Sequence, residues 1–292
     1  MENRWNRNQS LEEYNRIKYV AGVLYPPVLY AFLLMAVQVA GNIYYAYIYA
    51  SSIGERVTIE QSQEFLENVE RLVQEHNYLL TMISAVIGLA VFMYIYEKDV
   101  KRNGKFGFIR QVKDIKTYRL GYLLILGCVG NIGLSRLLSL LPLDNIIGSY
   151  RDTQESLLAG RLVIQILSVS VLVPVTEELV YRGLVCQRLQ RLLGDKIAVF
   201  MSAGLFAVFH FNLLQGIYAF IAGIVLGYVY LKYNTVVYCM ILHGIANLTA
   251  VLVNYFSISG YINNHIVLYL VVMVAELAVT VLVAEKIYKS KD

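Results

Sequence analysis

Three short stretches of this sequence place ionisable and amide side chains one helical turn apart inside otherwise apolar runs. EELVYR runs from Glu177 to Arg182, FAVFH ends on His210, and HGIAN runs from His243 to Asn247. Residues four apart on a helix lie on one face. Glu178 and Arg182 can therefore pair, with the acid N-terminal to the base. Glu177 is turned about 100° from Glu178 and is free to point into a different pocket. His243 and Asn247 share a face, as do Phe206 and His210. A carboxylate beside an imidazole can hold a water and take its proton. A second imidazole and an amide can donate hydrogen bonds to an oxyanion. Such a set suits hydrolysis of an amide bond. The same residue types also have other uses. Two histidines and a carboxylate can hold zinc with water as fourth ligand, although no HExxH pair is present. Glu178 with Arg182 can be a structural ion pair, and His243 with Asn247 interhelical glue. Buried Glu and His also serve proton or ion transport. Spacing alone does not separate these readings.

The elements that must position these residues are membrane helices. Of 292 residues, 58% are apolar and only 16% charged, and the mean hydropathy is +0.54. An ordinary soluble domain carries roughly 25% charged residues. This composition excludes a soluble globular enzyme, a disordered chain, a collagen and a disulfide scaffold. It predicts an all-α polytopic membrane bundle in a single domain, 1–292, with no internal repeat. Eight spans are expected, at about 19–46, 79–96, 120–141, 162–186, 197–211, 217–231, 236–253 and 265–285. Spans five and six are short and read as a hairpin, with Gly216 in its turn. Gly204, Gly223 and Gly227 are expected to let them pack closely. Pro26 and Pro27 mark a kink, or the entry of an interfacial helix into span one. Pro174 deprives the Ser170 carbonyl of its helical donor and predicts a kink that opens room for water beside Glu177. Counted along straight helices, Glu177 lies about 14 Å and His243 about 12 Å from the basic end, but His210 about 18 Å. Arg136 and Glu276 also fall in spans, where packing or an interhelical ion pair is the expected role. Cys128, Cys186 and Cys239 have no paired spacing and read as small buried hydrophobes.

Charge gives the orientation. Residues 97–119, 187–196, the turn at Lys232 and the C-terminal Lys286, Lys289 and Lys291 are basic. Residues 47–78 are net acidic, with Glu55, Glu60, Glu64, Glu67, Glu70 and Glu75 against Arg56 and Arg71, and residues 254–264 carry no charge. Basic connections alternate with acidic or neutral ones, which places both termini in the cytoplasm and requires an even number of spans. The basic stretch 97–119 is expected to lie along the anionic inner leaflet. Phe65, Leu66, Val69, Leu72 and Val73 predict an amphipathic helix capping the outer face. Tyr44, Tyr45, Tyr47 and Tyr49 suit an interfacial belt. The polar N-terminus shows no cleavable signal pattern, so span one is expected to be retained. No nucleic-acid-binding motif is present.

The three runs, in this order and at these separations, resemble the EExxxR, FxxxH and HxxxN motifs of the type II CAAX prenyl protease and bacteriocin-processing family, also called Abi or CPBP. The resemblance covers about residues 160–255, roughly a third of the chain. It implies a glutamate-dependent intramembrane endopeptidase whose catalytic core is 160–255. By that resemblance Glu177 with His210 would activate the water, His243 and Asn247 would stabilise the oxyanion, and Glu178 and Arg182 would hold the geometry or assist the pocket. No cofactor and no catalytic metal are expected, although members of the family were long described as metalloproteases. The implied substrate is a membrane-associated peptide or protein. Eukaryotic relatives trim prenylated CAAX proteins; bacterial relatives are linked to peptide processing, bacteriocin immunity and regulation of sensor proteins. The size of the chain and its Tyr, Asn and Ile usage point to a bacterial plasma membrane. The second class of function is a non-proteolytic membrane regulatory or immunity protein that binds a sensor or receptor; a transporter is the third.

Overall fold

The computed structural model describes residues 2–53, 62–140, 162–256 and 265–290. Among these the chain is helical, with no strand. Its elements are α1 (Glu2–Ile53), α2 (Ser62–Glu75), α3 (Asn77–Arg102), α4 (Phe108–Lys113), α5 (Thr117–Leu138), α6 (Leu162–Leu193), α7 (Asp195–Val208), α8 (Leu213–Tyr233), α9 (Val236–Tyr255) and α10 (Ile266–Lys289). Seven of the described helices are long and apolar enough to cross a bilayer: α1, α3, α5, α6, α8, α9 and α10. The chain is therefore a multi-pass helical membrane bundle. The fifth expected span differs. It is a helix of 14 residues, about 21 Å long against a hydrocarbon core of about 30 Å. Its shortness matters for the site, because His210 follows its last turn.

α6 is the axis of the bundle. Every residue from Leu179 to Cys186 is buried, with α1, α3, α7, α8 and α9 packed around it. Gly183 lets Tyr96 of α3 pack onto it: a Cβ there would lie 2.8 Å from the Tyr96 ring. α7 and α8 form the expected hairpin. Gly223 abuts Ala203 and Gly227 abuts Val199, whereas Gly204 faces open space and has no packing role. Gly216 is not in the turn. It lies in the first turn of α8, where a Cβ would meet the Ala207 carbonyl at 3.2 Å. The turn is instead made by Phe211 in the left-handed region and Asn212, whose side chain accepts from the N–H groups of Leu214 and Gln215. At the other end of α8, left-handed Asn234 closes the helix and Thr235 caps α9. α5 lies against α9 and α10 through Gly127 and Gly133. There Arg136 and Glu276 form the expected interhelical pair, at 3.1 Å.

The basic connections gather at one end of the bundle. Arg188 and Arg191 bind the two oxygens of Asp99 at 3.2 and 3.3 Å. Lys105 donates to the Asn234 side chain, Thr235 to Gln111, and Lys232 to the Ser290 carbonyl. The positive-inside rule assigns this end to the cytoplasm. α2 is the expected amphipathic cap: Val69 and Val73 are buried against Leu80, while Glu64, Glu67, Glu70 and Glu75 are exposed. α1 runs through Pro26 and Pro27 as one continuous helix. Cys186 and Cys239 are buried and Cys128 half-buried, all three free. The side chains of residues 1–16, in the polar N-terminal stretch, lie outside the described ones. Glu55, Arg56, Glu60, most of the uncharged connection and Lys291 also lie outside the described residues.

Candidate active site

The two glutamates sit on a short α-helical stretch of α6, Val173–Glu178, set between π-helical stretches at Ile166–Leu172 and Leu179–Cys186. π-turns inside helices concentrate at functional sites. Pro174 accounts for the consequence of the first. The Val173 N–H donates to the Ser168 carbonyl, five residues back. The next residue in that register is Pro174, which has no N–H. The carbonyl left unserved is thus Val169, one residue before the expected Ser170. Asn247 Nδ2, from α9, donates to it at 2.9 Å. The Ser170 carbonyl packs against Gly244, where a Cβ would lie only 2.7 Å from the oxygen. α9 thus fits onto the proline-altered stretch of α6 through both residues.

This docking brings His243 between the glutamates. Its Nδ1 lies 2.8 Å from Glu178 Oε1, and its Nε2 lies 3.7 Å from Glu177 Oε2. The expectation that the two acids face different surroundings holds for their exposure but not for their partner. Glu178 is fully buried and Glu177 reaches the cavity, yet both approach the same imidazole. Arg182 Nη1 donates to Glu178 Oε1 at 2.7 Å, with both side chains fully buried. Arg182 Nη2 also donates to the Gly223 carbonyl of α8 at 3.1 Å. Its guanidinium stands 4.8 Å from the Phe206 ring centre. Phe206 in turn meets His210 edge-on at 4.7 Å and His243 at 5.8 Å.

His210 follows the last turn of α7 and its Nδ1 lies 2.7 Å from the Phe206 carbonyl. A carbonyl only accepts, so Nδ1 carries the proton in that bond. His210 stands beside the same cavity as the others: α6 runs on to Leu193, which puts Glu177 about 24 Å from the basic end, level with His210 about 22 Å along α7 from Asp195. Glu177, His210, His243 and Asn247 all line one cavity of about 420 Å³. Its remaining wall, from α5, α8 and α10, is largely apolar and includes Leu126, Ala219, Ala222 and Leu277. Among the described residues no three or more His, Cys, Asp and Glu side chains are grouped so as to hold a metal ion.

Sequence spacing pairs residues on one helix, so it could not reveal the contacts of His243 with Glu177 and Glu178 across two helices. It also missed the bond from Asn247 to Val169. Gly244 did carry a signal, since a glycine inside a span can admit another backbone, although Gly204, which faces open space, carried the same signal without such a contact.

Residues 159–249 match the family model of the type II CAAX prenyl endopeptidase Rce1-like proteins. The match covers about a third of the chain. Neither a curated protein nor a solved structure matches the chain. The matched segment contains α6, α7, α8 and most of α9, and so every side chain of the site. At family level it supports a CAAX-type intramembrane protease, a hydrolase in a multi-pass membrane protein.

Proposed function

We propose that the chain hydrolyses a peptide bond in a membrane-associated protein or peptide, with Glu177 as the general base for the attacking water. The observation that carries this reading is the meeting of Glu177, His243 and Asn247, from two helices, and His210, from the turn after a third, on one cavity of about 420 Å³. A buried carboxylate with imidazoles beside it can hold a water and take its proton as the oxygen attacks a carbonyl. In this reading His210 assists Glu177, and His243 and Asn247 face the oxyanion that forms. Glu178 and Arg182 hold the assembly from behind. The apolar walls suit an apolar substrate segment, and the cavity lies within the bundle, where a substrate anchored in the bilayer can reach it. The plasma membrane of a bacterium is the proposed location.

The test is expression of wild type and Glu177→Gln at matched levels in a host lacking the gene. New peptide termini are then compared by mass spectrometry. Termini present only with wild type support the protease reading. Identical termini, with any phenotype restored equally by both forms, favour a membrane regulatory or immunity protein that binds a sensor or receptor.

A further inference from the structure

We propose that Glu178 and Arg182 are positioning residues that fix the tautomer of His243. In consequence Nε2 of His243, facing Glu177, is the atom at which this imidazole exchanges protons during hydrolysis. The inference rests on the protease reading above and assigns His243 a proton-carrying role beside Glu177.

The argument runs through hydrogen-bond capacity. Arg182 is always charged, fully buried, and bonded to Glu178 Oε1 at 2.7 Å. Glu178 beside it is therefore ionised and can only accept. His243 Nδ1, at 2.8 Å from the same oxygen, must donate. Two donors on one carboxylate oxygen, both buried, leave Nδ1 no chance to lose its proton without stranding that charge. The remaining nitrogen, Nε2, points at Glu177 Oε2 across 3.7 Å. That gap exceeds a direct hydrogen bond. It closes by a small rotation of Glu177 or takes a bridging water, as is common before substrate binds. The Phe206 ring, edge-on to His243 and over Arg182, limits the alternative orientations of the imidazole.

The proton balance follows. The attacking water gives one proton to Glu177 as its oxygen bonds to the carbonyl carbon. The proton shared between Glu177 Oε2 and His243 Nε2 then passes to the amide nitrogen as the C–N bond breaks. The hydroxyl proton of the tetrahedral adduct leaves last and also ends on the departing amine, leaving a carboxylate product and the resting site. Throughout, Nδ1–H stays on Glu178. In its neutral form His243 cannot donate from Nε2, so any hydrogen bond it gives the oxyanion requires the imidazolium, which Glu178 and Glu177 flank with negative charge.

The chain has four histidines, so ¹⁵N-histidine labelling of the full chain in detergent gives a countable spectrum, with His243 assigned from a His243→Gln sample. Wild type is expected to show a neutral His243 with the proton on Nδ1. A neutral His243 protonated on Nε2 would overturn the proposal, whether or not the protein cleaves peptides. In Glu178→Gln the amide oxygen takes the place of Oε1, accepts from Arg182 and Nδ1 as before, and should leave the tautomer unchanged. Glu178→Gln/Arg182→Met frees the amide to donate to Nδ1, and is expected to move the proton to Nε2 and lower kcat about 10²–10⁴-fold with little change in KM. Removing both charges together also avoids stranding Arg182 in the buried site. Unchanged kcat in a folded variant whose tautomer has switched would also overturn it. Absence of peptide cleavage by wild type, with the Nδ1–H tautomer present, would fail the protease reading alone.

Discussion

Replacing Arg182 by methionine tests the buried network at its root. The change keeps an unbranched side chain but removes the charge. It leaves Glu178, fully buried, without its bond of 2.7 Å, and Gly223 without its donor at 3.1 Å. Glu178 Oε2 is buried and already has no hydrogen-bond partner among the described residues, so the carboxylate has no second anchor besides His243. Breaking a buried ion pair by removing one partner costs about 3–5 kcal/mol, because the other charge is stranded. The contact with Phe206 adds to that loss, on the order of 1–2 kcal/mol when desolvated. Arg182→Met should therefore lower the unfolding free energy by at least about 3 kcal/mol. Glu178→Gln/Arg182→Met should recover most of it, because no charge is left buried. The control is Arg71→Met, whose pair with Glu75 is largely exposed, 65% and 53%, and contributes about 0–1 kcal/mol. Denaturation in mixed micelles, followed by far-ultraviolet circular dichroism, compares all four proteins. If Arg182→Met costs no more than Arg71→Met, the network does not carry the structure, and the argument from buried charge is wrong.

Other outcomes follow from the same geometry. Glu177→Gln should abolish hydrolysis while leaving unfolding stability equal or higher, since it removes a mostly buried charge; a matched activity and denaturation series checks both. Asn247→Ala should cost about 1–3 kcal/mol by leaving the Val169 carbonyl unpaired, and Asn247→Asp no less, since an ionised carboxylate cannot donate to that carbonyl. Gly244→Ala should destabilise by about 1–3 kcal/mol, because its Cβ would meet a backbone oxygen that cannot move aside. Single cysteines at Lys101 and Glu67 should react with an impermeant thiol reagent from opposite sides of sealed vesicles; labelling from the same side would refute the orientation.

The helices and the basic end of the bundle were legible in the sequence because both rest on local information. Apolar runs of about 20 residues and the alternation of charge between them are one-dimensional signals. So was the Glu178–Arg182 pair, which lies within one turn of one helix. The length of α7 was not, because the apolar run from residue 197 to 211 continues past Val208, where the helix ends. What ended it is backbone geometry, with Phe211 in the left-handed region and Asn212 capping α8. The partners of His243 and Asn247 were illegible for another reason. They are set by the rotation of α9 against α6, which depends on where glycines permit contact.

Pro174 connects these two levels. A proline in an α-helix would strand the carbonyl four residues earlier and kink the chain. Here the preceding stretch is π-helical, and the stranded carbonyl is Val169. Asn247 satisfies that carbonyl, and Gly244 admits the next one. Both lie on the helix that carries His243, so the unsatisfied backbone that Pro174 creates is also what docks α9 at the rotation where His243 reaches both glutamates. The motif residues of α6 and α9 are thus tied together by a defect in α6 and its repair from α9. An Asn247 variant that unpairs Val169 should disturb His243 as well as the cavity wall.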